Sequence, residues 1–464
     1  MRTLLLAVRN LLRNRRRSLA TLLALAIGST SILLFGGYST NIKYTMQTAN
    51  VRMGGHLQIQ HRDFYQYGSG NPTAYGIDDY QKIIDAIGKD PFLGRAVVVA
   101  TPTLQFGGIA GNYEAGVSRT IFGIGLIAAD HNLMRRWNGL DISLASQPLA
   151  LERAAADAAI IGTGLGRVLR LCESLHIADC PAPQSEGKPE GQALSDDIAQ
   201  LSLQDAPSAA PPAGPPRRIE LLASSARGTP NVASLQVIQA ERQGLKELDD
   251  VFVMLQLPQA QRLIYGAATP RATAIMIQLH RAADLAEARL RLTTLLAATA
   301  PGRALTTLDF RDLNPFYVQA TQLFDTIFGF ISMLIGGIVL FTVGNTMNMA
   351  VVERTIEIGT LRAIGLRRSG VRWLFVLEGF LLGLCGALAG MLFALAAAAI
   401  INHTGLTWLP PGSSVEVPLT LTIWGENRMI IGTTLGLIAV ATLSALWPAH
   451  RAARMVVVDA LRHT

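Results

Sequence analysis

The stretch "ERTIEIGTLRAIGLRR", residues 353–368, gathers four Arg, two Glu and two Gly between two apolar runs, residues 327–351 and 375–401, in a chain of which only 16% is charged. About two dozen residues separate the runs. That is enough for a turn on one side of a membrane and too little for a domain. The chain on either side of it decides the fold class.

Four segments, about 19–38, 327–351, 375–401 and 430–447, approach or exceed the roughly 18–20 apolar residues needed to cross a ~30 Å hydrocarbon layer as helices. With 50% apolar residues over 464 positions, this composition argues for a membrane class and against an ordinary soluble enzyme. A basic region precedes the first segment, as in a signal peptide. Its apolar core is longer than a signal core, and no convincing small-residue cleavage site follows, so a retained anchor is expected.

The arginines set the orientation. Residues 1–18 hold six Arg and no acid, residues 350–372 five Arg against Glu353 and Glu357, and residues 449–464 three Arg against Asp459. Together they outweigh the chain's whole net charge of +7, so everything else is net acidic. Basic flanks stay in the cytoplasm. The expected layout is a cytoplasmic N-terminus 1–18, span 19–38, an outer domain 39–322, span 323–351, a cytoplasmic segment 352–372, span 373–401, an outer loop 402–429, span 430–448 and a cytoplasmic tail 449–464. Trp373, Trp408, Trp424 and Trp447 fall at or near span edges, where interfacial aromatics belong. The basic run "RNLLRNRRRS" beside a span is explained by insertion and anionic lipid rather than by nucleic acid.

The outer residues read as α+β. "GGHLQIQHRDF", "RAVVVATPTLQF" and "TAIMIQLH" have strand patterns, "DDVFVMLQLPQAQRLI" reads as strand then helix, and "DDYQKIIDAIGK" and "AADLAEARLRLTTLLAA" have helix patterns. Their number suggests two lobes. A Pro-rich insertion or linker is expected at about 181–218, where "DAPSAAPPAGPPRR" offers nothing to pack. The fold class is thus a membrane protein with four transmembrane helices and a large α+β extracytoplasmic domain between the first two.

Catalytic readings are weak. "GTGLG" at 162–166 lacks the further glycine of a dinucleotide loop, because Arg167 stands there, and a turn opening a helix explains it. No phosphate-binding Walker loop, nucleophile elbow or His-Glu-x-x-His exists in the sequence. Cys172, His176 and Cys180 stand four apart, as metal ligands on one helical face would. On a continuous helix the two cysteines would be about 12 Å apart, too far for a bridge. A disulfide closing a non-helical loop is the first expectation outside the membrane, with free thiols and a metal as alternatives. Cys385, inside the third span, reads as a buried small residue, and His56 and His61 as surface or core histidines.

At helical spacing Glu353 and Glu357 share a face and repel, and Arg354 relieves this from i, i+3. Ile358 and Leu361 form an apolar ridge, and Gly359 and Gly365 break the element into a short helix. Further along, Gly379, Gly383, Gly386 and Gly390 form two small-xxx-small pairs for close helix packing. Thr342, Asn345, Thr346 and Asn348 place polar groups at the inner end of the second span, for interhelical hydrogen bonds.

The block resembles the coupling segment of the FtsX/MacB/LolC type of ABC transporter permease, "E-x-x-x-E-I-G-x-L-R-A-I-G", on Glu353, Glu357, Ile358, Gly359, Leu361, Arg362, Ala363, Ile364 and Gly365. "RNLLRNRRRSLATLLALAIG", "LPQAQRLI", "LEGFLLGLCGALAGMLF" and "WPAHRAARMVVVDALR" are similar to further parts of that family, with Val457 where proline is usual. The resemblance implies a non-enzymatic permease subunit of a bacterial inner (cytoplasmic) membrane, both termini cytoplasmic and the large domain periplasmic. It would dimerise with an identical or homologous permease and bind two copies of an ABC ATPase, which carry the ATP and Mg; no cofactor is expected on this chain. Membrane lipid and a periplasmic adaptor, chaperone or outer-membrane protein are further implied partners. Two functions are compatible: extraction or export of a lipoprotein, lipid or other amphiphile, as in lipoprotein release or macrolide export, or mechanotransmission without cargo to a periplasmic partner such as a cell-wall hydrolase. An anchored receptor without an ATPase is the third reading, and the coupling block argues against it.

Overall fold

The computed structural model describes residues 2–13, 15–68, 70–178, 180, 217–408 and 416–456. In chain order its main elements are α1 (Arg2–Arg13), α2 (Arg15–Gly54), β1 (Leu57–His61), α3 (Tyr80–Lys89), β2 (Val97–Asn112), β3 (Val117–Leu126), α4 (Ala128–Arg135), β4 (Ala158–Gly162), α5 (Thr163–Val168), β5 (Arg218–Ser224), β6 (Pro230–Glu241), β7 (Phe252–Gln256), α6 (Leu257–Tyr265), β8 (Ala274–Leu279), α7 (Leu285–Thr299), β9 (Leu305–Asp309), α8 (Pro315–Glu353), α9 (Thr355–Ala363), α10 (Arg368–Thr404) and α11 (Asn427–Arg454). They form two compact units: a helical one from the chain before Thr48 and after Asn314, and a large α+β one from Thr48–Asn314.

In the helical unit α2, α8, α10 and α11 are each long and apolar enough to cross a membrane, at 40, 39, 37 and 28 residues. At ~1.5 Å per residue α2 and α8 run about 60 Å, twice the hydrocarbon thickness. Both continue as helix well past their apolar stretches, so the compact α+β unit begins at Thr48 and ends at Asn314 rather than at the expected 39 and 322. The cause is local: "STNIKYTMQTAN" contains no Gly or Pro to stop the i→i−4 ladder, and Pro315 opens α8 where its missing N–H costs nothing. An ion pair between Lys43 and Asp325 joins these polar extensions.

The four glycines of α10 serve two neighbours. A Cβ on Gly379 or Gly383 would run into Ala445 or Ala441 of α11, and one on Gly386 or Gly390 into Leu25, or Ala26 and Ser29, of α2. Ser29 Oγ then donates to the Ala387 carbonyl at 3.2 Å and Thr30 Oγ1 to that of Gly390 at 3.0 Å. Cys385, expected to be buried, is exposed: one residue before Gly386 it lies about 100° around the helix from the packed stripe.

The α+β unit has two lobes that share β2. Residues Leu104–Asn112 of β2 pair with β3, and part of them with β5; the order then runs β5–β6–β4–β7–β3, so six strands close on themselves into a ring. Two pairings, β3–β7 and β4–β6, are parallel and the rest antiparallel. Phe106, Leu221, Leu235, Leu255 and Ile264 lie in its core. Gly123 has no side chain because the Phe106 ring occupies that space. The first half of β2, Val97–Thr103, pairs instead with β8 in the open order β2–β8–β1–β9. There Ile83 and Ile87 of α3 and Leu292 of α7 cover Leu57, Ile59 and Ile277. Most of the expected Pro-rich insertion at about 181–218 lies outside the described residues; its end is strand, since Arg218 opens β5. Cys172 and Cys180 are joined by a disulfide with Cα atoms 6.2 Å apart, the helical turn between them stopping at His176, whose φ is +53°.

Two buried histidines make this unit sensitive to acid. His56 Nδ1 accepts from the Leu279 amide at 3.0 Å and its ring stands edge-on to Trp137, while burial pushes its pKa down to about 4. His131 is pushed down to about 4 as well, by burial first and Arg135 second. Folded histidine stays neutral where the unfolded chain, with a pKa near ~6.5, takes a proton, so the stability is complete above pH ~6.5 and is lost as pH falls from there toward 4. At ~1.4 kcal/mol per pH unit, each histidine should withdraw about 2 kcal/mol between pH 6.5 and 5. Urea midpoints read by tryptophan fluorescence should fall over that window, and the double variant His56→Gln/His131→Gln should flatten the fall; an unchanged slope would refute the assignment.

Candidate coupling site

The turn between α8 and α10 is built around one buried arginine. Arg354, 5% exposed, stands where α8 ends, at φ −103° and ψ 21°, so that α9 leaves in a new direction. Its Nη1 donates to Glu378 Oε1 of α10 at 2.9 Å and its Nη2 to the Asn10 carbonyl of α1 at 3.1 Å. Asn10 Nδ2 donates to the same Glu378 oxygen at 2.8 Å. Glu378 is 1% exposed, inside an otherwise apolar helix. The arginine therefore does not relieve the Glu353–Glu357 repulsion, as spacing suggested. That task falls to α1 and α2: Arg17 pairs with Glu353 at 2.7 Å and Arg13 with Glu357 at 2.5 Å, each pair half-exposed. Part of the basic N-terminal run thus has a structural partner as well as a topological role.

On α9 the block divides into faces. Ile358 and Gly359 are buried, Ile358 within the core cluster of α8, α10 and α11, so Gly359 sits inside a continuous helix and does not break it. Only Gly365, at φ +106°, ends the element, in a conformation that glycine tolerates. Arg362 Nη1 donates to the Met455 carbonyl beyond α11. Outward remain Glu353, Glu357, Leu361, Ala363, Ile364 and Gly365, with Ile364 79% exposed and Ile356 and Leu366 beside it. Since Ile358 points in and Leu361 out, the apolar ridge is Ile356, Leu361 and Ile364. The surface offers two carboxylates beside exposed aliphatic side chains, and five helices, α1, α2, α8, α10 and α11, hold it from behind.

The remaining candidates are placed as follows. Thr346 Oγ1 and Thr21 Oγ1 share a hydrogen bond of 2.8 Å, and Asn348 Oδ1 accepts from Arg451 at 3.5 Å, while Asn345 is exposed. At "GTGLG", the Asp249 carboxylate accepts from the amides of Thr163 at 2.9 Å and Gly164 at 2.7 Å, so the chain's own anion fills the start of α5. Among the described residues no group of three His, Cys, Asp or Glu is arranged to hold a metal. Glu378 went unread in the sequence analysis. Its signal was present: a lone acid within an apolar span, where an ionised group needs a partner.

Residues 326–457 match the family model described as FtsX-like permease C-terminal, a region that contains α9 and Glu378. The chain is 30% identical over 155 residues to the lipoprotein-releasing system transmembrane protein LolC of Haemophilus influenzae, covering 33% of this chain and 38% of that one. It is 32% identical over 138 residues to the ABC transporter permease YtrF of Bacillus subtilis, covering 29% of this chain and 30% of that one. It is also 32% identical over 190 residues to the macrolide export ATP-binding/permease protein MacB of Escherichia coli O157:H7, covering 40% of this chain and 27% of that one. Each match spans well under half of the relative's own length. Among solved structures, the periplasmic region of MacB from Actinobacillus actinomycetemcomitans aligns with 57% of this chain and 95% of its own at TM-score 0.31 and 11% identity, a likeness too slight to carry an argument.

Proposed function

We propose that this multi-pass membrane protein, which carries an FtsX-like permease C-terminal region, is the permease subunit of an ABC transporter, and that the outward face of α9 is the surface its ATPase grips. The observation that carries this reading is the way α9 is held. Ile358 is packed in the helical core, Arg362 is bonded to the end of α11, and Glu357 is paired to Arg13 of α1, while Glu353, where α8 ends just before it, is paired to Arg17 of α2. A push on its exposed face is transmitted to α1, α2, α8, α10 and α11 together rather than absorbed by a loose loop. ATP and Mg belong to the partner chain, in two copies on a permease dimer, and the chemistry of this chain is mechanical.

In this reading α9 and both termini are cytoplasmic and the α+β unit lies outside, in the periplasm if the membrane is a bacterial inner one; the basic flanks support it. The cargo class is a lipoprotein, lipid or other amphiphile taken from the outer leaflet. The parent chain, purified from its native membrane, should bring an ABC ATPase with it and raise that ATPase's hydrolysis in liposomes; no retention would sink the reading. Topology is tested separately in a Cys385→Ala background. Tyr113→Cys, at an exposed hairpin tip, should react with an impermeant thiol reagent in spheroplasts, and Arg368→Cys should not. Labelling of Arg368→Cys would invert the arrangement.

A further inference from the structure

Between α2, α8 and α11 the helical unit holds a cleft of ≈ 490 Å³, within the range of ligand sites. Its walls change character along the helices. At one end stand Lys43, Asp325 and Arg428; about a turn further in are Ser39 on α2 and Phe328 on α8, and about two turns in on α8 is Ser332; beyond Ser332 the lining is apolar, through Leu437 and Ile32 to Val440. From Arg428 to Val440 along α11 is about 18 Å, close to half of the ~30 Å hydrocarbon layer. The cleft is therefore about one leaflet deep.

Three features say what kind of molecule fits it. Gly336, Gly432 and Gly436 line it, and a Cβ built on any of them meets no atom within 4 Å, so these glycines leave open space and do not serve helix packing as those of α10 do. Ser39 is 3% exposed, and its hydroxyl, like that of Ser332, has no hydrogen-bond partner although both line the cleft. A buried hydroxyl without a partner is costly, and a ligand acceptor would satisfy it. At the charged end Lys43 and Asp325 cancel, and Arg428 has no carboxylate at ion-pair distance among the described residues. Cation, then hydroxyl donors, then hydrocarbon is the order of partners that a phosphate, an ester and an acyl chain require.

We propose that this cleft holds an anionic phospholipid of the surrounding leaflet, its phosphate on Arg428, its ester oxygens at Ser39 and Ser332, and one acyl chain along α8 and α11. The assignment rests on the permease reading only for the leaflet, which is the outer one. It is tested with the full chain in nanodiscs of equimolar phosphatidylglycerol and phosphatidylcholine carrying the same acyl chains, then moved to mild detergent and weighed by native mass spectrometry. The parent should retain phosphatidylglycerol about tenfold over phosphatidylcholine. Arg428→Gln should keep a lipid and lose the preference; Gly436→Leu, whose added Cβ meets no atom within 4 Å and whose isobutyl group projects into the cleft, should lose the lipid. Equal retention of the two lipids by the parent, or undiminished retention by Gly436→Leu, overturns the proposal. ATPase retention is measured on the same samples: its absence in the parent counts against the permease reading, and its persistence beside a failed lipid result counts against the cleft alone.

Discussion

Glu357→Lys should abolish retention of the proposed ATPase and the hydrolysis that the permease would stimulate, and should leave membrane insertion and the α+β unit unaffected. Within the chain the exposed Arg13–Glu357 pair is worth less than about 1 kcal/mol, so its loss alone does not unfold anything. The large effect comes at the interface. A carboxylate covered by a partner chain and paired there leaves about 2–5 kcal/mol behind when removed, a loss of roughly 30-fold to several thousand-fold in affinity, and Lys adds repulsion. Glu114→Lys, the same reversal at the exposed β2–β3 hairpin tip, is the control and should retain the ATPase. Glu426 is unsuitable for that purpose because its carboxylate accepts from the Tyr44 hydroxyl at 2.6 Å. The charge swap Arg13→Glu/Glu357→Arg separates the two roles. Full recovery in the swap would mean that the pair only positions α9; continued loss places Glu357 on the partner.

Arg354→Met costs about 3–5 kcal/mol of stability, because it leaves the Glu378 carboxylate buried with only Asn10 to donate to it. Thermal unfolding in detergent should fall accordingly. The double variant Arg354→Met/Glu378→Leu should recover most of the loss, since an apolar pair of similar volume removes the charge as well as its partner. If the single variant unfolds with the parent, the pair is solvated and the account of the α8–α9 turn fails. If the double variant is stable yet no longer stimulates hydrolysis, the pair holds α9 in the orientation the ATPase needs.

What was legible in the sequence was whatever depends on neighbours along the chain. The four spans, the helical coupling block and most strands of the open sheet follow from apolar period and breaker residues. What depends on distant partners was not. Arg354 reads as a neighbour of Glu357 until the fold brings Glu378 and Asn10 to it, and the burial of Gly359 and Ile358 follows from α9 lying against the helical core. The strands of the closed ring were largely missed. β4, "AAIIG", is buried on every residue and shows no alternation to read, whereas β5, "RIELLAS", alternates faithfully and was obscured by the Pro-rich tract that runs into it. The lone acid of the third span, Glu378, is a further cue in the sequence, because an ionised group in an apolar span needs a partner.

The ring of six strands also limits how the α+β unit can greet another protein. Every strand in it has a neighbour on both sides along part of its length, so among the described residues a visiting peptide could pair by backbone only with stretches paired on one side, such as the protruding ends, residues 117–121 of β3 and 230–235 of β6. The open sheet ends on β9, five residues long and interrupted at once by the capping box of Asp309 and Asp312. Whatever docks on most of this unit must be recognised through loops and side chains, and such contacts can change partner by point substitution while the scaffold beneath stays as it is.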